Sequence, residues 1–294
     1  MSVVIRNPYA RPGQFRKAQL HCHTTASDGR FPPDVLLQMY RAAGYTFVCI
    51  TDHNRVTPAS PQPDGGVLVI PGTEDTVSRA IRPLGPHMGR LFVSAPLQDG
   101  SPQERIDQTR AAGGLVSLCH PSWTGNLWTG AWTASAMAAL RGVHLVEVWN
   151  PHSNSGEDVL RWVATLRAQG PHRAPWGVAV DDCHHLGQFN RGWIMAKVPE
   201  ISAQALRTSL LEGALYASTG LSAEFAVEGT RIAVALTEPA RIRFFGGDGL
   251  VRTDVTGVEA SYEVHGDEAF VRVECHAAKG RLWSQPFWLD TTVR

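Results

Sequence analysis

From residue 15 to residue 220 the chain alternates between short, mostly apolar runs and longer stretches whose apolar positions recur at helical spacing. The short runs cover 46–50, 67–70, 115–119, 143–150 and 176–180, and their β-branched, apolar character is that of strands buried on both faces. The stretches between them, 33–43, 102–112, 133–140, 157–168 and 202–211, predict helices. Such an alternation predicts an α/β fold with a parallel sheet, and about seven units predict a closed or nearly closed barrel. Past residue 220 the period changes. Alternating runs at 224–228, 231–236, 241–245, 261–265, 269–276 and 286–289 are separated by Gly, Asp, Glu and Pro, which predicts a small antiparallel β-sandwich. The expected organisation is therefore a (β/α)7 barrel over residues 1–220 followed by a sandwich module over 221–294.

Chemistry gathers where the apolar runs end. His21 and His23 are two apart on a predicted strand, so both leave the same face and can converge on one cation. Asp28 follows shortly, the run 46–50 leads into Thr51-Asp52-His53-Asn54, and the run 67–70 leads through Pro71-Gly72 to Glu74. His120-Pro121 follows 115–119, and Asp181-Asp182-Cys183-His184-His185 follows 176–180. A paired histidine on a half-exposed strand is by itself unremarkable in a soluble protein. Repetition at successive strand ends is different, because barrels of this kind carry their chemistry at the carboxyl ends of the strands. Neutral imidazoles with carboxylates suit zinc, manganese or iron. Burying so many of them without cations would leave polar groups unpaired and like charges opposed.

The strings His21-Cys22-His23, Ser27-Asp28-Gly29, Thr51-Asp52-His53, the Gly-x-Glu ending at Glu74, His120-Pro121 and Asp182-Cys183-His184 resemble, in order, the successive motifs of the PHP (polymerase and histidinol phosphatase) family. The resemblance implies a distorted seven-stranded barrel holding two or three divalent metal ions. It implies that His21, His23, Glu74 and Asp182 ligate one ion and that Glu74 bridges to a second, which also takes His87 and His120. Asp28, His53 and His184 would hold a third. His87 enters this set because the segment GPHMGRLFV is similar to the family's histidine-containing strand entry. Asp52 and Asp181 are expected to orient ligand histidines from behind. The starting segment with His21 and His23, the Thr51–Asn54 string and the closing WSQPFWL resemble one branch in particular, the carbaryl-hydrolase-like enzymes, which implies carbamate or carboxylic ester hydrolysis beside phosphoester hydrolysis.

The expected activity is that of a metal-dependent hydrolase in which hydroxide bridging the ions at Glu74 attacks an ester, with small phosphate mono- or diesters as first choice. His184 or His185 would protonate the leaving group. Substrate contacts are expected from Asn150, Arg191, Trp123 and Trp128, against the plainer alternatives of a structural asparagine, a solvated arginine and tryptophans packed on the barrel rim. A nuclease and a non-catalytic metal-stabilised scaffold are the other classes considered.

Composition narrows these choices. In 294 residues, 27 basic and 27 acidic side chains cancel, which gives no electrostatic footprint for extended nucleic acid. The apolar fraction of 43% can fill a real core, no apolar run reaches a membrane span, and the N-terminus lacks the pattern of a signal peptide. Five cysteines, an odd number, are expected to be reduced thiols of a cytoplasmic protein, with Cys22 facing away from its two histidine neighbours. A small-molecule ester is the expected partner, and oligomeric state is not readable from the chain.

Overall fold

A computed structural model describes residues 2–57, 66–77, 84–95 and 100–292. In chain order the elements are β1 (Ser2–Arg6), β2 (Gln14–Gln19), α1 (Pro33–Ala42), β3 (Phe47–Ile50), β4 (Leu68–Thr76), β5 (His87–Leu91), α2 (Pro102–Ala111) and β6 (Leu115–Leu118). Then come α3 (Gly125–Trp128), α4 (Ala134–Ala139), β7 (Leu145–Trp149), α5 (Ser155–Gln169), β8 (Trp176–Ala179), β9 (Trp193–Val198), α6 (Ala203–Glu212) and β10 (Leu215–Ser218). The remainder is strand: β11 (Ala223–Glu228), β12 (Arg231–Gly246), β13 (Val251–Glu263), β14 (Phe270–Ala277), β15 (Gly280–Trp283) and β16 (Phe287–Thr292).

The fold is mixed α/β on one large sheet. Strands β2, β3 and β4 pair in parallel, as do β6, β7 and β8, and every position of β3 and β6 is buried. The wholly parallel sheet expected from the pattern is not formed, because β5 runs antiparallel to both β4 and β6. Only residues 77–86 separate β4 from β5, too few for the crossover of a dozen or more residues that a parallel neighbour requires. Nor does the sheet close into a barrel. Beyond β2 and β8 the chain meets in a single bridge, Cys22 to Cys183, with the His23 N–H donating to Cys183 O at 3.0 Å. Within β8, the Gln285 carboxamide takes both the N–H and the C=O of Gly177, at 2.8 and 2.7 Å, where a closed barrel would call on a strand.

No separate sheet sets residues 221–294 apart as a sandwich. β15 pairs with β10 and β16 pairs with β1, so hydrogen bonds cross the expected boundary at both ends of the chain. The runs 231–236 and 241–245 are one strand, β12, whose register shifts between Ala235 and Ala240 around Pro239. The core under these strands holds Phe244, Val273 and Phe287 together with Tyr9 and Tyr216 from the first part of the chain. Two further cores lie against the parallel strands, one with Trp162 and Leu166 of α5, the other with Leu206 and Leu210 of α6. Among the described residues, no helix is long and apolar enough to cross a membrane. All five cysteines are buried and free, and Cys22 packs with Leu36 and Tyr40 of α1.

Candidate metal centre

The chain reaches the site by a sharp departure from β2. The Gln19 Oε1 accepts the N–H groups of Leu20 and His21 at 3.0 and 3.2 Å, and its Nε2 donates to Gly192 O, so the strand's last residue holds the turn that aims two histidines inward. His21 Nε2 and His23 Nε2 end 3.1 Å apart. Gly29 follows from the same geometry: a Cβ there would lie 2.3 Å from His23 O. His120 (φ 29°) and Asp182 (φ 43°) both hold positive φ, a region that costs non-glycine residues about 1–3 kcal/mol and that persists where the surroundings fix it.

Glu74, two residues before the end of β4, is the hub. Its Oε2 lies 3.3 Å from His21 Nε2 and 3.2 Å from both His23 Nε2 and His53 Nδ1. Its Oε1 lies 2.8 Å from His87 Nδ1 and 3.0 Å from His120 Nε2. Asp182 Oδ1 is 3.2 Å from both His21 Nε2 and His23 Nε2. At the outer edge, Asp28 Oδ2 is 3.3 Å from His53 Nε2 and 3.4 Å from His184 Nε2. Burial alone would raise both inner carboxylates, but the imidazoles around them hold Glu74 and Asp182 well below the usual carboxylate range. Burial likewise pulls His23 down, and the facing carboxylates of Asp182 and Glu74 outweigh it, raising it to about 9.

These donors fit metal ions. His21, His23, Glu74 and Asp182 present ligand atoms within 4.8 Å of one another, as do His23, Asp28, His53 and His184, and also His53, Glu74 and His87. Buried Asp182 Oδ1, His53 Nδ1 and His120 Nδ1 have ion-pair neighbours or none, and no hydrogen-bond partner among the described residues. Leaving such an atom unsatisfied costs about 1–3 kcal/mol, and a cation among the donors would satisfy the carboxylate oxygen.

The fold places this arrangement among known structures. With a TM-score of 0.53 and 15% identity, over 98% of this chain and 92% of the other, the chain is similar to a two-domain protein from Bacteroides vulgatus described as containing a predicted PHP-like metal-dependent phosphoesterase. That likeness shows the fold alone. PsfC from Pseudomonas syringae is 15% identical over 67% of this chain and 88% of its own, with a TM-score of 0.47, too low to carry an argument. No protein-family model and no curated protein matches the chain.

All nine expected ligand positions converge on one place, and a cavity of about 290 Å³ opens beside them. Trp123 forms part of its wall, with ring centroids 5.0 Å from His87 and 4.8 Å from His120. Other expected site residues land elsewhere. Trp128 is 84% exposed and Arg191 is exposed, and neither lines the cavity. His185 is also exposed, its N–H donating to Gln188 Oε1 at 3.1 Å. Asn150 is buried and spends its amide on Glu147 Oε2 (2.8 Å) and Asp182 Oδ2 (3.1 Å), which makes it a brace for Asp182. Neither aspartate expected behind the histidines touches one. Asp52 accepts from the Thr24 N–H and from the hydroxyls of Thr24, Ser27 and Thr57. Asp181 accepts from Tyr40 Oη and the Asn190 N–H, and burial raises it to about 8.

The histidines are oriented instead by Glu147. Its Oε1 meets His21 Nδ1 at 2.7 Å and its Oε2 accepts the His120 N–H at 2.6 Å. A lone carboxylate in the apolar strand LVEVW was the signal for this role, since burial demands partners. Two further residues line the cavity without a sequence signal: Asn126, whose Nδ2 lies 3.0 Å from His87 Nε2, and His152, whose Nε2 lies 2.8 Å from Gln188 Nε2.

Proposed function

We propose that the chain is a metal-dependent hydrolase acting on small phosphate mono- or diesters. The observation that carries this reading is the pair of buried carboxylates, Glu74 and Asp182, each within 3.3 Å of at least two imidazole nitrogens beside an open cavity. His21, His23, Glu74 and Asp182 would hold one divalent ion, Glu74, His87 and His120 a second, and Asp28, His53 and His184 a third; this mixture of donors suits Zn, Mn or Fe. When bound, such ions supply Lewis-acid polarisation and lower the pKa of water toward neutrality.

The chain's own residues do the rest. Glu147 and Asn150 hold His21 and Asp182 in place from behind. Trp123 screens His87 and His120 from solvent on one side, His152 and His184 present imidazole nitrogens at the opening, and Asn126 spends its amide on Gly85 O and His87 Nε2. Where Asp28 and His53 hold no ion, His184 Nε2 is the group that carries a proton to the leaving oxygen. His185 lies outside the cavity wall and is not needed for this step.

The flat face of Trp123 favours a second reading, hydrolysis of aryl carbamates or carboxylic esters, in keeping with the resemblance to the carbaryl-hydrolase-like branch. One experiment separates the two: turnover of p-nitrophenyl phosphate, its diester and a p-nitrophenyl N-methylcarbamate by metal-reconstituted protein, with His53→Ala as control. Phosphoester turnover that disappears in the variant is the expected result. Carbamate turnover with inert phosphates would transfer the chain to the second reading, and no turnover on any of them would remove both.

A further inference from the structure

Away from the metal cavity, a cleft of about 480 Å³ opens between α5 and the strands β12, β14 and β15. Four arginines, Arg167, Arg243, Arg272 and Arg281, line it against two carboxylates, Glu274 and Asp248. Asp248 is already bonded to Arg252 at 2.7 Å. Glu274 is buried and bonds Arg272 Nη1, while Arg243 Nη2 stands 3.6 Å away and His276 Nε2 3.5 Å away. One buried carboxylate therefore serves two guanidiniums, and the wall as a whole keeps an excess of two positive charges.

The donors show the same surplus. Arg272 is 5% exposed, yet its buried Nε has no hydrogen-bond partner among the described residues, and the same holds for Nε of the half-buried Arg243. Both guanidiniums lie over the Phe245 ring, 4.4 Å (Arg272) and 5.1 Å (Arg243) from its centroid, which fixes their planes. Arg281 Nη1 reaches Ser155 Oγ at 3.4 Å, at the first turn of α5, which brings the fourth guanidinium to the rim of the same space. The remaining wall is apolar and includes Trp283 and Val163. Planar guanidiniums with unspent donors, pre-set by stacking and sharing a single carboxylate between them, are suited to a tetrahedral oxyanion.

We propose that this cleft is a second ligand site, which takes a phosphate monoester with its head on Arg243 and Arg272 and its organic portion against Trp283 and α5. The ligand's charge, about −1.5 to −2 near neutral pH, matches the excess in the wall. The inference does not depend on the reading of the metal cavity.

The test is calorimetric titration of phenylphosphonate, a non-hydrolysable probe, into the full chain with and without EDTA. The expected result is one binding event that survives EDTA and the substitution Trp123→Ala, weakens with added salt, and weakens at least tenfold in Arg243→Gln. Arg281→Gln, at the exposed rim, serves if Arg243→Gln melts without a cooperative transition, and is expected to weaken binding as well. Inorganic phosphate is expected to bind the same site more weakly than phenylphosphonate. Absence of an EDTA-resistant event, or wild-type affinity in the folded arginine variants, would overturn the proposal. Equal affinity for inorganic phosphate would overturn the part assigned to the apolar wall.

Discussion

Replacing Glu147 by Gln keeps the side chain's shape and removes the charge that faces His21 Nδ1 and the His120 N–H. Outer partners of ligating histidines typically contribute a factor of about 10–100 in metal affinity. Glu147→Gln is accordingly expected to lose metal to a competing chelator at roughly 10–100-fold lower chelator activity; an unchanged competition curve would deny it the orienting role. The histidines themselves make the metal-free protein sensitive to base. His23, raised from 6.5 to about 9, contributes stability that is fully present below pH 6.5 and is lost as pH rises through about 9. Glu74 and Asp182, held low, contribute in the opposite sense: their share is present above the ordinary carboxylate range and is lost only well below it. In EDTA, the melting temperature should therefore fall between pH 6.5 and 9. Metal-loaded protein should be spared, because ions take the place of those protons and bind more tightly as pH rises. A flat EDTA profile over that interval would count against the coupled cluster. At this scale the sequence was explicit about ligand types, since an inward histidine or carboxylate at a strand end has few reasons to be buried. Asn126, in the short α3, and His152, in the loop after β7, carried no such periodic mark.

Among the elements, the turn between β2 and α1 is the one most constrained by the site. A methyl group on Gly29 would collide with the His23 carbonyl at 2.3 Å, so Gly29→Ala must displace the turn that carries Asp28. The expected outcome is loss of the most weakly held ion, seen by metal analysis after dialysis, with the inner ions retained; retention of every ion would show that the turn can yield. Helix α2 offers a control far from this chemistry. Its capping box joins Ser101 and Glu104 reciprocally, and Ser101→Ala is expected to cost about 1 kcal/mol in urea denaturation without altering metal content. The same contrast explains which elements were legible. The helices appear within a few residues of the expected ranges because apolar spacing and caps are local. Strand β5 reads poorly as HMGRL, since its Arg90 is buried by virtue of partners outside the strand, Thr109 at 2.9 Å, Asp75 at 3.4 Å and Ala95 O at 3.4 Å.

For the molecule as a whole, the consequential contacts join distant parts of the chain. Gln285, fully buried, bonds Gly177 of β8 through its side chain and accepts its own place from Tyr9, whose Oη receives the Gln285 N–H at 2.8 Å. Gln285→Ala would leave the Gly177 N–H and C=O unpaired in a buried strand, a loss of about 1–3 kcal/mol, and should shift the urea midpoint accordingly. An unchanged midpoint would mean that water reaches β8. A fragment ending at residue 220 would strip β10 of β15, β1 of β16 and Tyr9 of its core, and is expected to melt without cooperativity by calorimetry. The sequence by itself determined the α/β alternation, the helices and the change of texture near residue 220, because each rests on local periodicity; the nine candidate ligand positions came from the resemblance to the PHP motifs, beside which the cost of burying so many polar groups stood as a separate argument. Tertiary structure alone decided that the sheet stays open, that β5 runs antiparallel, that the last strands continue the main sheet, and that Glu147 and Asn150 serve the site while Asp52 and Asp181 turn elsewhere. Those outcomes depend on which backbone and side-chain groups meet across long separations, and no periodicity along a single chain records such meetings.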